Sequence, residues 1–187
     1  LLNSDTLVTV NWLEKIQFCA YSDPSIGTVT PLSNNATLCS VPVFCHENSL
    51  PEGFSLDDYA ALIENVSLRK YPLLPVANGF CMFIKRCVIE DIGLFDSETF
   101  GRGYGEENDF CYRAEQAGYR HVMCDDTYIY HSGTGSFVSD EKRKYLEAHE
   151  RILDKRFPAQ MQAVRVHCRD NPNRDIFKNI NLAVALE

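Results

Sequence analysis

With 187 residues, the chain is long enough to bury a sizeable hydrophobic core, and a single domain is the first expectation. Its composition, 45% hydrophobic and 24% charged residues, is that of an ordinary globular protein. The net charge of −8 argues against nucleic acid and against an anionic membrane surface as general partners. An acidic protein that binds an anionic phosphate therefore needs a local correction, such as a metal ion.

The eight cysteines form no C-x-x-C pair, which disfavours a zinc ribbon or a thioredoxin-like site. Several lie in apolar segments, where a reduced thiol behaves as a small hydrophobic side chain. With no recognisable signal peptide and no long apolar span, we expect reduced thiols and a cytoplasmic location. The chain opens directly on Leu1-Leu2-Asn3-Ser4-Asp5, which resembles the end of a buried strand. We therefore expect a fragment of a longer protein, and a signal sequence on that parent chain stays open.

The first half of the chain predicts alternating helices and strands from its apolar periodicity. In order, we expect a helix over 7–20 capped by Asp5 or Thr6, a strand over 26–30, an irregular excursion over 32–51, a helix over 55–67 that begins with a capping box, and an extended piece between Pro72 and Pro75.

The second half continues this alternation. We expect a strand over 80–85, a short helix over 86–92 ending at Gly93, a turn over 93–96, a helix over 106–117, strands over 119–124 and 126–131, a glycine–serine loop over 132–136, a charged helix over 140–157 stopped by Pro158, and a helical tail. The alternation predicts an α/β protein with a mostly parallel or mixed sheet flanked by helices.

A dense group of acidic residues lies in the segment from Gly101 to Gly118, after three glycines. Glu106, Glu107 and Asp109 fall in the first turn of the predicted helix, where carboxylates complement the helix dipole. Asp109 is also placed to pair with Arg113 at i, i+4. These structural roles are a sufficient explanation, and the alternative is that clustered carboxylates beside flexible backbone form a catalytic site.

Four stretches follow one another in a fixed order: Asn3-Ser4-Asp5, then 78–86 with 93–96, then 106–109, then His131. Together they resemble the family 2 glycosyltransferases, inverting enzymes with the GT-A nucleotide-sugar fold. In that family the first stretch is the D-x-D metal motif at the end of a strand, and the second borders the acceptor site. The third corresponds to the E-D-x-D motif that supplies the catalytic base, and the histidine closes the metal site.

The resemblance implies that residues 1–137 are the C-terminal half of a GT-A domain, with 138–187 as a C-terminal helical extension. It also implies Mg²⁺ or Mn²⁺ as cofactor, with Asp5 and His131 as protein ligands. Asn3 departs from the family pattern because it replaces the first aspartate. Taken without the resemblance, Asp5 is equally well a helix cap, and His131 is equally well a histidine bonded to backbone at a strand end.

The resemblance assigns the general base to Glu107, which stands where many relatives have aspartate. Glu106 is then the neighbour that binds acceptor hydroxyls, and Asp109 orients the loop or holds Arg113. Because consecutive carboxylates repel, we expect one of their pKa values to be raised. The positions that border the substrates are Asn78, Gly79 and Gly105, although ordinary turn geometry also explains the glycines.

The function implied is transfer of a sugar from a nucleotide-diphosphate donor to a hydroxyl of a glycan, lipid or protein acceptor, as in polysaccharide biosynthesis. Peripheral membrane association would come through the parent protein. In the family, the strands and helices ahead of D-x-D bind the base and ribose of the donor, so we expect most of the nucleotide pocket to be missing. Two other classes stay open: a non-catalytic sugar-binding or interaction module, and a metal hydrolase that uses Asp5, His131 and the glutamate pair.

Overall fold

The computed structural model describes residues 1–101, 104–133 and 140–187, and for residues 140–143 it describes the backbone alone. The predicted boundary between residues 137 and 138 lies outside this description, as do residues 134–136 of the glycine–serine loop. The architecture is α/β, as the sequence predicts.

The strands, in chain order, are β1 (Thr6–Leu7), β2 (Ile26–Leu32), β3 (Leu73–Leu74), β4 (Phe83–Ile84), β5 (Arg120–Tyr128) and β6 (Tyr130–His131). The α-helices are α1 (Trp12–Tyr21), α2 (Leu56–Val66), α3 (Arg86–Ile92), α4 (Ser97–Phe100), α5 (Glu106–Gln116), α6 (Asp140–Arg156), α7 (Pro158–Asp170) and α8 (Arg174–Val184). A short 3₁₀ helix, Thr37–Cys39, interrupts the otherwise irregular excursion after β2.

A mixed four-stranded sheet with the order β3-β5-β2-β4 forms the centre of the fold. The two long strands, β2 and β5, run parallel, and each has a short antiparallel neighbour on its other edge. All of β2 and all of β5 after Arg120 are buried. Continuous burial is typical of parallel strands that are covered on both faces, so the carboxyl ends of β2 and β5 meet at one edge of a closed core.

The N-terminal segment differs from the sequence prediction. Residues 7–11 are not helical, because Thr6 and Leu7 pair with His131 and Tyr130 in a second, antiparallel sheet. The helix α1 starts five residues later than predicted, at Trp12, and its cap is Asn11 rather than Asp5 or Thr6. The long-range pairing of β1 with β6 overrides the local helical periodicity.

The helices α2, α3 and α5 confirm their predictions. The Ser55 side chain accepts a hydrogen bond from the Asp58 N–H, as the capping box requires. The helix α3 spans 86–92 as predicted, and Gly93 after it has a φ of 79°. The helix α5 spans 106–116 where 106–117 was predicted; Phe110 and Ala114 are buried, and Ala117, directly after the last helical residue, is exposed.

Two predicted strands near the end of the sheet are in fact one. The backbone from Arg120 to Tyr128 continues through Asp125 and Asp126, whose carboxylates accept hydrogen bonds from the segment 67–71. Those contacts stabilise Asp125 and Asp126 inside the strand. From the sequence alone, the two acidic residues suggested that one strand ends and another begins there. The helix α4 was not predicted, and it begins where the Asp96 side chain accepts from the Thr99 N–H.

The last three helices pack against the preceding elements. Leu153, Phe157 and Met161 form one hydrophobic cluster with Phe100 and Tyr112. Phe177 and Ile180 of α8 belong to the main core cluster around the sheet. Pro158, predicted to stop the charged helix, does so and starts α7.

All eight cysteines are free thiols. Those at positions 19, 39, 81, 111 and 124 are buried, which confirms that thiols in the apolar segments serve as core side chains. In the part of the chain that the structure describes, no helix combines the length and the apolar character needed to cross a membrane.

Candidate active site

The triplet Asn3-Ser4-Asp5 follows Leu2, which forms an isolated antiparallel bridge with Cys81. The prediction of a buried strand at this point was wrong, because Leu1 and Leu2 are exposed. The N-terminal amine of Leu1 donates to the Met82 carbonyl over 2.8 Å, and the Asn3 N–H donates to the Phe80 carbonyl over 2.8 Å. On its other side the triplet leads into β1, where the Ser132 N–H donates to the Asp5 carbonyl. The triplet is therefore fixed at both ends by backbone pairing.

This pairing brings Asp5 close to His131. Oδ1 of Asp5 lies 3.5 Å from Nε2 of His131, and Nδ2 of Asn3 lies 3.4 Å from the same nitrogen. The side chains of His131 and Asp5 are partly buried, with exposed fractions of 15% and 26%. The two residues that the resemblance assigns to a metal ion are therefore neighbours.

The other ring nitrogen of His131 determines the tautomer. Nδ1 lies 2.8 Å from the backbone carbonyl of Asn35, and a carbonyl oxygen can only accept. Nδ1 therefore carries a proton and donates it, and in the neutral ring the lone pair is on Nε2, which faces Asp5 and Asn3. A histidine whose second nitrogen donates to a backbone carbonyl is oriented in the way that metal-ligating histidines usually are.

These residues fit a small divalent cation. For a metal–ligand bond of about 2.1 Å, two ligands on adjacent octahedral positions lie about 3 Å apart, so Oδ1 of Asp5 and Nε2 of His131, at 3.5 Å, would need to approach each other slightly to share a cation. Among the residues that the structure describes, no group of three or more His, Cys, Asp or Glu side chains could hold a metal. Two protein ligands suit Mg²⁺ or Mn²⁺, which keep several positions for water and substrate phosphates.

Phe80 and Gly79 lie between the Asp5–His131 pair and the acidic helix. The Phe80 ring stacks on the imidazole of His131, with centroids 5.2 Å apart and planes inclined by 23°. A Cβ built on Gly79 would lie 3.8 Å from the carboxyl carbon of Glu107. Phe80 thus contacts His131, and the neighbouring Gly79 leaves space for the Glu107 side chain, which a methyl group there would touch.

The Asn78 side chain shapes that turn. Its Oδ1 accepts from the Phe80 N–H over 3.2 Å. The backbone N–H of Asn78 donates to Oγ1 of Thr30, near the end of β2. The predicted substrate-binding residue Asn78 therefore uses its side-chain oxygen to orient Gly79 and Phe80.

Glu106 and Glu107 lie side by side at the start of α5. Burial, with a further contribution from the Glu107 carboxylate, raises the pKa of Glu106 above its ordinary value of 4.5. One oxygen of Glu106, Oε2, is buried and has no hydrogen-bond partner among the described residues. The raised pKa predicted for this pair thus falls on Glu106, the residue assigned to acceptor binding.

Gly105 precedes the pair as the N-cap of α5. Its N–H donates to Oε2 of Glu107 over 3.3 Å, and its φ of 131° is one that side-chain-bearing residues rarely adopt. A Cβ at this position would also lie 3.0 Å from the Phe100 ring. Gly105 is therefore needed for turn geometry, and its backbone orients the Glu107 carboxylate.

Asp109, in the first turn of α5, makes two ion pairs. Oδ2 accepts from Nε of Arg113 over 2.7 Å, as the i, i+4 spacing predicts, and Oδ1 accepts from Nη1 of Arg156 over 3.0 Å. Arg156 also donates to Asp96 over 2.8 Å. This hydrogen bond, together with those from Thr99, lowers the pKa of the Asp96 carboxyl to about 2. With both oxygens engaged and only 1% of the residue exposed, Asp109 holds α5 against α6.

Several contacts of the site were not predicted from the sequence. Phe80 contributes ring stacking, Asn35 contributes a backbone carbonyl, and Arg156 reaches Asp109 from the C-terminal helices. No local pattern marks such residues, because each acts through a neighbour that is distant in the sequence. The asparagine run at 34–35, directly after a buried strand, was the available signal.

Comparisons with known proteins do not extend this description. The chain matches no protein-family model, and neither the curated proteins nor the solved structures contain a significant match to it.

Proposed function

We propose that this chain carries the metal-binding and general-base parts of the active site of an inverting glycosyltransferase with a GT-A fold. The observation that supports this most is the convergence of three distant segments around one turn. Asp5 and His131 lie within 3.5 Å of each other, Phe80 stacks on His131, and a methyl group on Gly79 would lie 3.8 Å from the carboxyl carbon of Glu107. In open α/β sheets, ligands bind outside the carboxyl ends of the parallel strands, where β5 leads to His131.

In this proposal Asp5 and His131 hold Mg²⁺ or Mn²⁺. When bound, the cation supplies Lewis-acid stabilisation of the departing nucleoside diphosphate. The chain's own contribution is orientation: the Asn35 carbonyl fixes the imidazole so that Nε2 faces Asp5, and the pairing of β1 with β6 fixes the backbone of both residues.

The Glu107 carboxylate accepts the proton of the acceptor hydroxyl. At the same time the hydroxyl oxygen forms a bond to the anomeric carbon of the sugar, and the bond from that carbon to the nucleoside diphosphate breaks. Such a base must come within about 3 Å of the hydroxyl in the reactive complex. Gly79 leaves room beside the carboxylate because it has no side chain, and the Gly105 N–H holds Oε2 of Glu107. Glu106, whose buried Oε2 has no hydrogen-bond partner in the part of the chain that the structure describes, is suited to accept a hydrogen bond from an acceptor hydroxyl or to share its proton with one.

The decisive experiment is Glu107→Gln in the full-length protein, assayed with Mn²⁺ and a panel of UDP-, GDP- and dTDP-sugars. Loss of the general base lowers the transfer rate by about 10²–10⁴-fold, whereas donor binding by calorimetry is retained. Glu115→Gln is the matched control, since Glu115 is an exposed residue of the same helix. Unchanged turnover in Glu107→Gln would refute the assignment of the base.

The same assay separates the other two classes. A non-catalytic sugar-binding module binds a sugar or donor without releasing nucleoside diphosphate in any combination of donor and acceptor. A metal hydrolase releases free sugar or phosphate at full rate when no acceptor is present. The cytoplasm is the location that we propose, because it keeps eight free thiols reduced.

A further inference from the structure

The backbone N–H and C=O of His131 form hydrogen bonds with a side chain instead of with a neighbouring strand. Because the Ser132 N–H donates to the Asp5 carbonyl, Thr6 and His131 form a non-hydrogen-bonded pair of the antiparallel ladder. The N–H and C=O of His131 therefore point away from β1. Buried backbone groups of this kind need partners, and here they do not come from a strand.

The carboxamide of Asn34 binds both groups. Its Oδ1 accepts from the His131 N–H over 2.7 Å, and its Nδ2 donates to the His131 carbonyl over 2.9 Å. Asn34 is 2% exposed and directly follows Ser33 at the end of β2. A single side chain thus replaces one rung of a sheet beside the proposed metal ligand.

Asn34 is itself held by a closed loop. Its carbonyl accepts from the Asn48 backbone N–H over 2.9 Å and from Nδ2 of Asn48 over 3.2 Å. Its Nδ2 also lies 3.3 Å from the Asn48 carbonyl. The excursion between β2 and α2 is therefore tied at its base, at the residue that binds His131.

We propose that Asn34 is a positioning residue: its carboxamide holds the His131 backbone so that Nδ1 reaches the Asn35 carbonyl and Nε2 presents its lone pair to Asp5. The backbone clamp and the ring contact come from consecutive residues, so displacement of His131 from Asn34 also lengthens the Nδ1–O distance to Asn35. The metal role of this arrangement rests on the proposed function, whereas the tautomer of His131 does not.

The test measures the His131 tautomer in the metal-free, full-length protein by long-range ¹H–¹⁵N correlation. The wild type is expected to show a protonated Nδ1 and a bare Nε2. Asn34→Ala removes both bonds to the His131 backbone and is expected to give a mixture of tautomers. Asn65→Ala is the matched control, because Asn65 is an exposed asparagine of α2 and its replacement should preserve the wild-type tautomer.

Affinity for Mn²⁺ alone is the second measurement. Loss of an outer residue that orients a metal-binding histidine typically weakens metal binding about 10- to 100-fold, and we expect this for Asn34→Ala but not for Asn65→Ala. A folded Asn34→Ala protein that keeps both the Nδ1–H tautomer and the wild-type Mn²⁺ affinity would overturn the proposal. A wild-type His131 protonated at Nε2 alone would overturn it too.

If Asn34→Ala does not fold, the wild type still decides the question. Scalar coupling across the hydrogen bond from the Asn34 carboxamide to the His131 carbonyl carbon, together with a protonated Nδ1, supports the clamp, and its absence contradicts it. A wild-type protein with the expected tautomer but no Mn²⁺ binding would contradict the glycosyltransferase proposal and leave the clamp intact.

Discussion

Oδ1 of Asp5 lies 3.5 Å from Nε2 of His131, although the two residues are far apart in the sequence. The antiparallel pairing of β1 with β6 produces this approach, and the Asn35 carbonyl turns the bare nitrogen of the neutral ring towards the carboxylate. Carboxylate oxygens and imidazole nitrogens are both common metal ligands, and the proposed function places a cation between these two side chains.

The first prediction tests this cation position. Asp5→Asn is expected to lower the affinity for Mn²⁺ at least about 10-fold, because the carboxylate contributes both charge and a coordinating oxygen. Titration of the full-length protein with Mn²⁺, followed by calorimetry, measures the effect. Asp57→Asn, an exposed aspartate in the first turn of α2, is the control and should bind as the wild type does. Equal affinity in Asp5→Asn would remove Asp5 from the metal site.

The second prediction separates two glycines that the resemblance places together. Gly79→Ala is expected to lower transfer with little loss of stability, since its new methyl group would sit 3.8 Å from the Glu107 carboxyl in ordinary contact. Gly105→Ala is expected to lower the free energy of unfolding by about 1–3 kcal/mol, because its φ is 131° and its methyl group meets the Phe100 ring. Urea unfolding of both variants, alongside nucleotide release, checks the difference. A Gly105→Ala protein as stable as the wild type would contradict it.

Local patterns in the sequence predicted the elements that depend on local contacts. The helix α3 has the predicted bounds, and the Ser55 cap of α2 is present, because both follow from neighbours within one turn. The predicted start of α1 was wrong because Thr6 and Leu7 pair with His131 and Tyr130, which are far away in the sequence. Periodicity cannot reveal such a pairing, since the competing partner is not in the window.

The same division applies to the site. Asp5 and His131 were predicted from the order of motifs, and they lie together. Asn34 and Phe80 were missed, since one binds the backbone of His131 and the other stacks on its ring. Side-chain-to-backbone bonds and ring contacts leave no fixed spacing in a sequence, whereas a charged pair such as Asp109 and Arg113 at i, i+4 does.

The third prediction concerns the ion pairs of Asp109. Asp109→Asn is expected to reduce the free energy of unfolding by about 2–4 kcal/mol, because it leaves Arg113 and Arg156 without their buried carboxylate. The control is Asp154→Asn, whose carboxylate pairs with Arg165 on the surface and should contribute less than about 1 kcal/mol. Chemical denaturation compares them, and equal effects of the two substitutions would show that burial of Asp109 adds nothing.

The fourth prediction is a dependence of stability on pH that comes from His121. Its Nε2 donates to the Cys111 carbonyl and its Nδ1 accepts from the Thr28 hydroxyl, and burial lowers its pKa from 6.5 to about 4. The unfolded chain binds the proton more readily, so stability falls as the pH drops from about 6.5 towards 4, by about 3 kcal/mol in total.

Urea unfolding across this pH range measures the slope. His121→Gln is expected to unfold at lower urea concentration at neutral pH but to lose less stability on acidification, because it cannot take up the proton. His46→Gln alters an exposed histidine and should keep the wild-type slope. A His121→Gln protein with the full wild-type slope would assign the acid sensitivity to other groups.

The fifth prediction concerns Glu106, whose pKa is raised by burial and by the adjacent Glu107 carboxylate. The folded state therefore holds this proton more tightly than the unfolded chain does, and the contribution of Glu106 to stability decreases as the pH rises above about 4.5. Glu106→Gln removes this penalty, so we expect a higher thermal midpoint than wild type at neutral pH and a difference that disappears below the ordinary glutamate pKa. Glu115→Gln on the exposed face of α5 should show no such crossover. A Glu106→Gln protein that is less stable than wild type at neutral pH would show that the Glu106 carboxylate has a stabilising partner in the folded protein. Oε2 would then not be free to bind an acceptor hydroxyl.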